Sequence, residues 1–495
     1  MRTRDQERQS RRHFLRQAAC AKLGYFGLVN ALAQMRLFNA AVAQNPPSDY
    51  KALVCLFLFG GNDGNNLLIP YSGPFRSQYV NARGVLSIST ANLHQVHPQN
   101  DTANGWGFHP SLGQLASLFE TGKLAVLHNV GTLSYPIADR TEFLSGTVPV
   151  PPQIFSHSDQ QVQWQSSVPD RPFQTGWGGR LADLINAGGN PDSNVSMSIS
   201  LSGINSFQVG TDVVQYAVTA DGAIPLSGYG TDYTNALNPD GTYKNNQAGW
   251  RLKAFERIMA YTHANLMEEG YAQVMRRARD AEAVVAQADA SALASGVDFD
   301  AIFASADTPL GDQLKMIAKL VAGRTDLGNN RQVFFCSQGG YDTHQDQINS
   351  QVNLLTELGD AMAAFQAAID ALGLTDKVVL FTASDFTRTL TPNGNDANTA
   401  GSDHGWGGPA MVMGGPVVGQ NLYGHFPNIT PGGSADAGGS RGRWIPSTAV
   451  DQYGAVLARW FGVDSASMET IFPNLARFDD PFSVASANLN FLNLP

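Results

Sequence analysis

The chain has 495 residues, of which 15% are charged and 50 are glycine, and it carries a net charge of −10. That composition excludes a disordered or coiled-coil chain, and the acidic balance argues against nonspecific nucleic-acid binding, because phosphates would be repelled. The length admits two to four domains but also suits one large α/β body.

Residues 1–43 read as an address. They hold eight Lys/Arg and two Asp/Glu, which leaves −16 on the remainder. Ser10-Arg11-Arg12-His13-Phe14-Leu15 fits the twin-arginine export pattern, with Ala41-Val42-Ala43 as a small-x-small cleavage site. The expectation is a signal peptide read by the twin-arginine machinery, with the mature chain periplasmic or secreted. No later segment approaches the ~20 apolar residues that span a bilayer.

Residues 44–495 are read as one domain. Ala52–Phe59 is a continuous apolar run, as a central strand covered on both faces requires. Pro110–Thr121 is helical in pattern, and Leu124–Asn129 is a second buried strand. A polar helix runs from Ser156 to Ser166. Residues 195–247, rich in Ser, Thr, Gly and Asn, read as short strands and long loops, an inserted subdomain or lid. Residues 248–325 are a helical segment. Val333–Ser337, Val378–Thr382 and Ala410–Gly414 are strands, separated by an amphipathic helix over Asn349–Leu372, and Val450–Trp460 is a closing helix. Strand–helix–strand order predicts right-handed crossovers and a mainly parallel central sheet flanked by helices. Pro392–Ser402 reads as a mobile loop. Cys55 and Cys336 lie in apolar strands, lack CxxC spacing, and are read as buried free thiols.

Three motifs concentrate chemistry: GGND at 60–63, GGYDTH at 339–344 and DHGWGG at 403–408. Each puts acidic or imidazole groups just beyond a predicted strand, and TASDF at 382–386 adds a fourth acid. Carboxylate and imidazole suit divalent metals, and the carboxyl ends of strands are where α/β sheets place their sites. Asp63, Asp342, His344, Asp385, Asp403 and His404 are therefore the candidate ligands for one or two divalent ions, zinc first, manganese or calcium otherwise. The bland alternative for each acid is a turn residue that satisfies backbone N–H groups.

Ser156 heads a helix, where free N–H groups favour an alkoxide or a bound anion, so it is the candidate nucleophile. Ser158 and Thr141 are rivals. Ser156 with Asp159 also has the spacing of a capping box. Arg388 and Arg180 are candidates to hold a phosphate or sulfate group. His109, His128 and His157 are weaker candidates, and His128, on a buried strand edge, is more readily read as a satisfied core histidine.

The stretches LVCLFLFGGNDGNNLLIPY, FSHSDQQVQWQ, TGWGGRLAD, GGYDTH, FTASDFTR and DHGWGGPAMVMGG, with the twin-arginine leader, resemble a bacterial family known as domain-of-unknown-function family 1501, grouped with the alkaline-phosphatase and sulfatase superfamily. The resemblance implies an alkaline-phosphatase-like or sulfatase-like α/β core with a two-metal site at the strand ends. It implies Asp63 as an early ligand, Ser156 as nucleophile, Asp342, His344 and His404 on one metal, and Asp385 on the second. The chain departs from that pattern in two ways. Asp342-Thr343-His344 is a shortened spacing, and Phe386 stands where an imidazole follows the acid. No Cys lies in a C-x-P-x-R setting, which disfavours a formylglycine sulfatase. The expected activity is metal-dependent hydrolysis of a small anionic phosphate- or sulfate-type ester. The other reading is a noncatalytic exported scaffold. A redox role finds no GxGxxG, CxxC or CxxCH.

Overall fold

The computed structural model describes residues 49–494 except 194, 224–225, 231–232, 262–265 and 484–486, and the side chains of 266–271, 273–274, 276–278 and 280 are likewise left aside. The export signal expected at 1–43 lies outside the described residues.

The strands in chain order are β1 (Lys51–Leu58), β2 (Leu68–Pro70), β3 (His94–Val96), β4 (Trp106–Phe108), β5 (Leu124–Gly131), β6 (Ser198–Ser200), β7 (Tyr216–Thr219), β8 (Gly222–Ala223), β9 (Arg331–Gln338), β10 (Val378–Ser384), β11 (Gly408–Met413), β12 (Leu422–Gly424) and β13 (Thr448–Ala449). Among the described residues ten of them form one sheet in the order β12-β5-β11-β10-β1-β9-β6-β7-β8, with β13 beside β5. The sheet is mixed but mostly parallel. β1 runs parallel to β9 and β10, while β11 runs antiparallel to both β10 and β5. The segment expected as an insertion or lid contributes β6, β7 and β8, which continue the sheet beyond β9. Three-residue strands β2, β4 and β3 make a separate small sheet that the periodicity of the sequence does not predict.

β1 is central for a reason visible in its side chains. Ala52, Val54, Leu56 and Leu58 enter one hydrophobic core, and Leu53, Cys55 and Phe57 enter the other. Period-two alternation sends neighbours to opposite faces, so a strand covered on both sides must be apolar throughout. Helices Pro309–Ala322 and Gln347–Ala371 cover the first face, and helices Trp177–Gly189 and Val450–Phe461 cover the second. Helix Pro309–Ala322 starts where its sequence says it should. Thr308 Oγ1 accepts from the Gly311 amide at 3.2 Å and Pro309 takes the first turn. Cys55 and Cys336 are free and buried. Among the described residues no helix is long and apolar enough to cross a membrane.

Asp451, in the first turn of helix Val450–Phe461, is buried, and its Oδ1 has no partner. Burial pushes its carboxyl from 3.8 up to about 7. The folded chain therefore holds this proton to higher pH than the unfolded chain does. The stabilising contribution is complete below the unfolded value and is lost as pH rises through the folded value. Asp451→Asn keeps the neutral shape at every pH. It is expected to raise stability by on the order of 2–4 kcal/mol near pH 8 and to change little near pH 4, read as the shift of the urea midpoint. An equal effect at both pH values would show that the proton is not involved.

Candidate metal centre

Four loops meet at one edge of the sheet. β1, β9 and β10 are parallel, so the segments that follow them, from Gly60, Gly339 and Asp385, emerge on the same side. β11 runs the other way, so it begins where its neighbours end, and Asp403-His404 reach that edge from in front of their strand. The reading that every motif follows a strand is corrected here: DHGWGG precedes one. The loops touch very closely. Gly60 has φ +109°, and a Cβ built on it would lie 2.5 Å from the Asp342 amide nitrogen. Only glycine permits that approach at that backbone angle.

At the meeting point three imidazoles face one carboxylate oxygen. Asp342 Oδ1 lies 3.3 Å from His157 Nε2, 3.1 Å from His344 Nε2 and 3.4 Å from His404 Nε2. His404 Nε2 is 3.1 Å from His157 Nε2 and 3.0 Å from His344 Nε2. His157, Asp342 and His404 form a group that could hold a metal ion. Ligands about 2.0–2.2 Å from a tetrahedral ion are about 3.3–3.6 Å apart, and the spacings among these three are 3.1, 3.3 and 3.4 Å.

The remaining ring nitrogens decide what the Nε2 atoms present. His157 Nδ1 donates to Asp385 Oδ2 at 2.6 Å, His404 Nδ1 donates to the Phe155 carbonyl at 2.7 Å, and His344 Nδ1 faces Asp403 Oδ1 at 3.3 Å. A carboxylate or carbonyl only accepts, so the proton of each neutral ring sits on Nδ1 and the lone pair on Nε2. Three lone pairs then point toward one another and toward an anionic oxygen. That arrangement repels itself until a cation or an added proton enters it. An outward hydrogen bond from the far nitrogen is also how metal-bound histidines are oriented.

The groups around the cluster are polarised accordingly. The hydrogen bond to Asp385 outweighs burial and raises His157, whereas burial lowers His404. Burial works to raise Asp342, but the hydrogen bond and charge of Arg388 hold it below the usual carboxylate range. Phe386 forms an apolar wall, its ring centroid 4.8 Å from those of both His157 and His404.

The family model described as "Protein of unknown function (DUF1501)" matches residues 50–437, which include every side chain of this cluster. The chain belongs to that family. No curated protein matches the chain. Among solved structures it is similar to PsFucS1 sulfatase from Pseudoalteromonas sp., at 12% identity over 85% of this chain and 75% of that one with a TM-score of 0.29. It is also similar to Ps i-CgsB in complex with k-i-k-neocarrahexaose, at 8% identity over 88% and 78% with a TM-score of 0.30. At that level neither likeness carries an argument about fold or activity.

In this member of the family the candidate ligands separate into three groups. Asp342, His344 and His404 meet at the cluster. Asp385 and Asp403 stand one hydrogen bond behind it, orienting His157 and His344, and Asp403 also pairs with Arg441 Nη1 at 2.8 Å. Asp63 goes elsewhere: its buried carboxylate pairs with Arg83 and accepts from Gln347 Nε2 at 2.5 Å. Arg388, expected to hold an anion, is fully buried and already committed. It donates to Asp342 Oδ1 at 2.7 Å, to the Gly60 carbonyl at 3.2 Å and to the Ser402 carbonyl. Arg180 donates to the Ile471, Thr175 and Ser166 carbonyls and serves packing.

Ser156 occupies the N-cap of helix His157–Ser166 but makes no side-chain cap bond. Its hydroxyl donates instead to Asp159 Oδ2 at 2.6 Å. Its hydroxyl is 3.3 Å from that of its rival Ser158. His157 is the residue that sequence reasoning undervalued. The signal available was its position, one residue after Ser156 at a helix start, but nothing local separates it from His109 and His128. Those two are buried away from the cluster, and burial holds each at about 4. The loop Pro392–Ser402, expected as mobile, is fastened to the site: Asn393 Nδ2 donates to the His344 carbonyl at 2.8 Å, and Gln345 bridges Ala400. A cleft lined by Leu68, Tyr79, His128, Phe426 and Trp444 shares Thr387 and Gly407 with the site loops, but none of the four cluster residues lines it.

Proposed function

We propose that the chain is an exported metal-dependent hydrolase of a phosphate- or sulfate-type ester, on an alkaline-phosphatase-like α/β core. The observation that carries this reading is the convergence of three Nε2 lone pairs on Asp342 Oδ1, with every Nδ1 tied outward. His157, His404 and Asp342 would hold a divalent cation, with His344 beside them. A nitrogen-rich set of this size suits zinc better than calcium, which prefers six or more oxygens. A cation there would supply Lewis acidity toward the ester's anionic oxygens.

The chain's own groups supply the rest. The Ser156 hydroxyl donates to Asp159 Oδ2, which would take its proton as Oγ bonds the phosphorus or sulfur and the bond to the ester's alcohol oxygen breaks, that oxygen leaving with the alcohol. Arg388 keeps Asp342 ionised and fixes its direction. Phe386 excludes water from one side of the imidazoles. Export rests on the twin-arginine pattern around Arg11 and Arg12, and it assigns the mature chain to the periplasm or exterior.

The test uses mature protein prepared without chelator. Elemental analysis is expected to find stoichiometric divalent metal. Hydrolysis of 4-nitrophenyl phosphate or sulfate should disappear on chelation and return with zinc or manganese. No bound metal and no rescue would sink the proposal. The second reading, a noncatalytic binding protein, is favoured by one observation: Asp63 is neutralised within the chain by Arg83. Bound metal without turnover of any such ester would support it.

A further inference from the structure

We infer that the Arg83 guanidinium stands where a second cation would meet Asp63, so the centre is built for one ion. This rests on the metal reading above. Both side chains are fully buried, and Arg83 Nη2 donates to Asp63 Oδ2. The guanidinium is held on every side. Its Nε donates to Asn66 Oδ1 at 3.1 Å, and its Nη1 donates to the Thr389 and Leu390 carbonyls at 3.0 and 2.9 Å. Asn66 Oδ1 is itself fixed by the Tyr79 hydroxyl at 2.8 Å. The charge comes from the last turn of helix Gly73–Arg83 and is clamped to the chain that follows β10.

A buried carboxylate needs a cation or several donors, and Asp63 has Arg83 and Gln347. Its Oδ1 is buried without a partner, so a second ion would have to approach there. It would then face a fixed positive charge across one carboxylate in a medium that screens poorly. Asp342 also pairs with an arginine, Arg388, but its side chain is 47% exposed and three imidazole Nε2 atoms face its Oδ1, so water and ring lone pairs offset that charge as they cannot at buried Asp63. Asp385 instead has an imidazole.

The experiment counts zinc by elemental analysis after equilibrium dialysis of the mature chain. Wild type is expected to saturate at one ion per chain, and Arg83→Met at two, with a zinc-dependent rise in melting temperature absent from wild type. Asp63→Asn, which retains an acceptor for Arg83, is expected to keep one ion at unchanged affinity. Two ions on wild type would overturn this inference alone, and no ion would overturn it together with the metal reading. Folded Arg83→Met that still holds one ion, or Asp63→Asn that loses its ion, would also overturn it. If Arg83→Met does not fold, the wild-type and Asp63→Asn counts decide.

Discussion

His157→Ala is expected to strip the centre of its cation, lowering affinity by a hundredfold or more, while the circular dichroism of the sheet and helices persists. The side chain supplies Nε2 to the group with Asp342 and His404, and its Nδ1 donates to Asp385. Its removal deletes one donor and, among the described residues, leaves Asp385 Oδ2 with Gln161 Nε2 at 3.0 Å and the Gly60 amide at 3.2 Å. Asp385→Asn is the graded comparison. It keeps the imidazole but weakens its anchor, and such outer partners typically account for about 10–100-fold in affinity. The measurement is competition with a chromogenic chelator, read beside elemental analysis. An alanine variant that binds as tightly as wild type would remove His157 from the centre, and with it the proposed donor set.

Arg388→Met is expected to have the largest effect on folding stability among the site residues. The guanidinium has no exposed surface and joins three loops: Gly60 after β1, Asp342 after β9 and Ser402 before β11. Methionine fills similar space with no donors. The buried Ser402 carbonyl then loses its partner, which costs about 1–3 kcal/mol, and the half-buried Gly60 carbonyl, which water can reach, loses less. Asp342 contributes less, because its side chain is 47% exposed and water screens its charge. The sum is expected to reach about 2–4 kcal/mol, seen as a lower urea midpoint with unchanged slope. Metal affinity should fall as well, since Asp342 loses the donor that aims it. A variant as stable as wild type would mean that the loops hold together without this residue.

The path from sequence to site is clearest at β1, β9 and β10. Their apolar runs admit one reading, because each must feed two cores, and the acids that follow them were therefore placed at one edge. Direction was not legible for β11. GPAMVM carries no mark of running antiparallel, and its orientation comes from pairing with β10 and β5. The small sheet of β2, β3 and β4 escaped for a related reason: three residues are too few to display alternation. Asp63 looked like Asp342 in sequence, an acid after Gly-Gly at a strand end. What separates them is Arg83, twenty positions later, whose helix packs its last turn against one acid and not the other.

Composition, periodicity and motif chemistry thus determined by themselves a layered α/β body, its central strands, and a strand edge rich in carboxylate and imidazole. Those properties are local, written in hydrophobic alternation and residue type. Tertiary structure alone decided which of these groups face one another. It drew His157 in from a helix start, set Asp385 and Asp403 behind the rings, and gave Asp63 to a guanidinium. Facing depends on the angle and separation of elements hundreds of residues apart, and no window of sequence contains that.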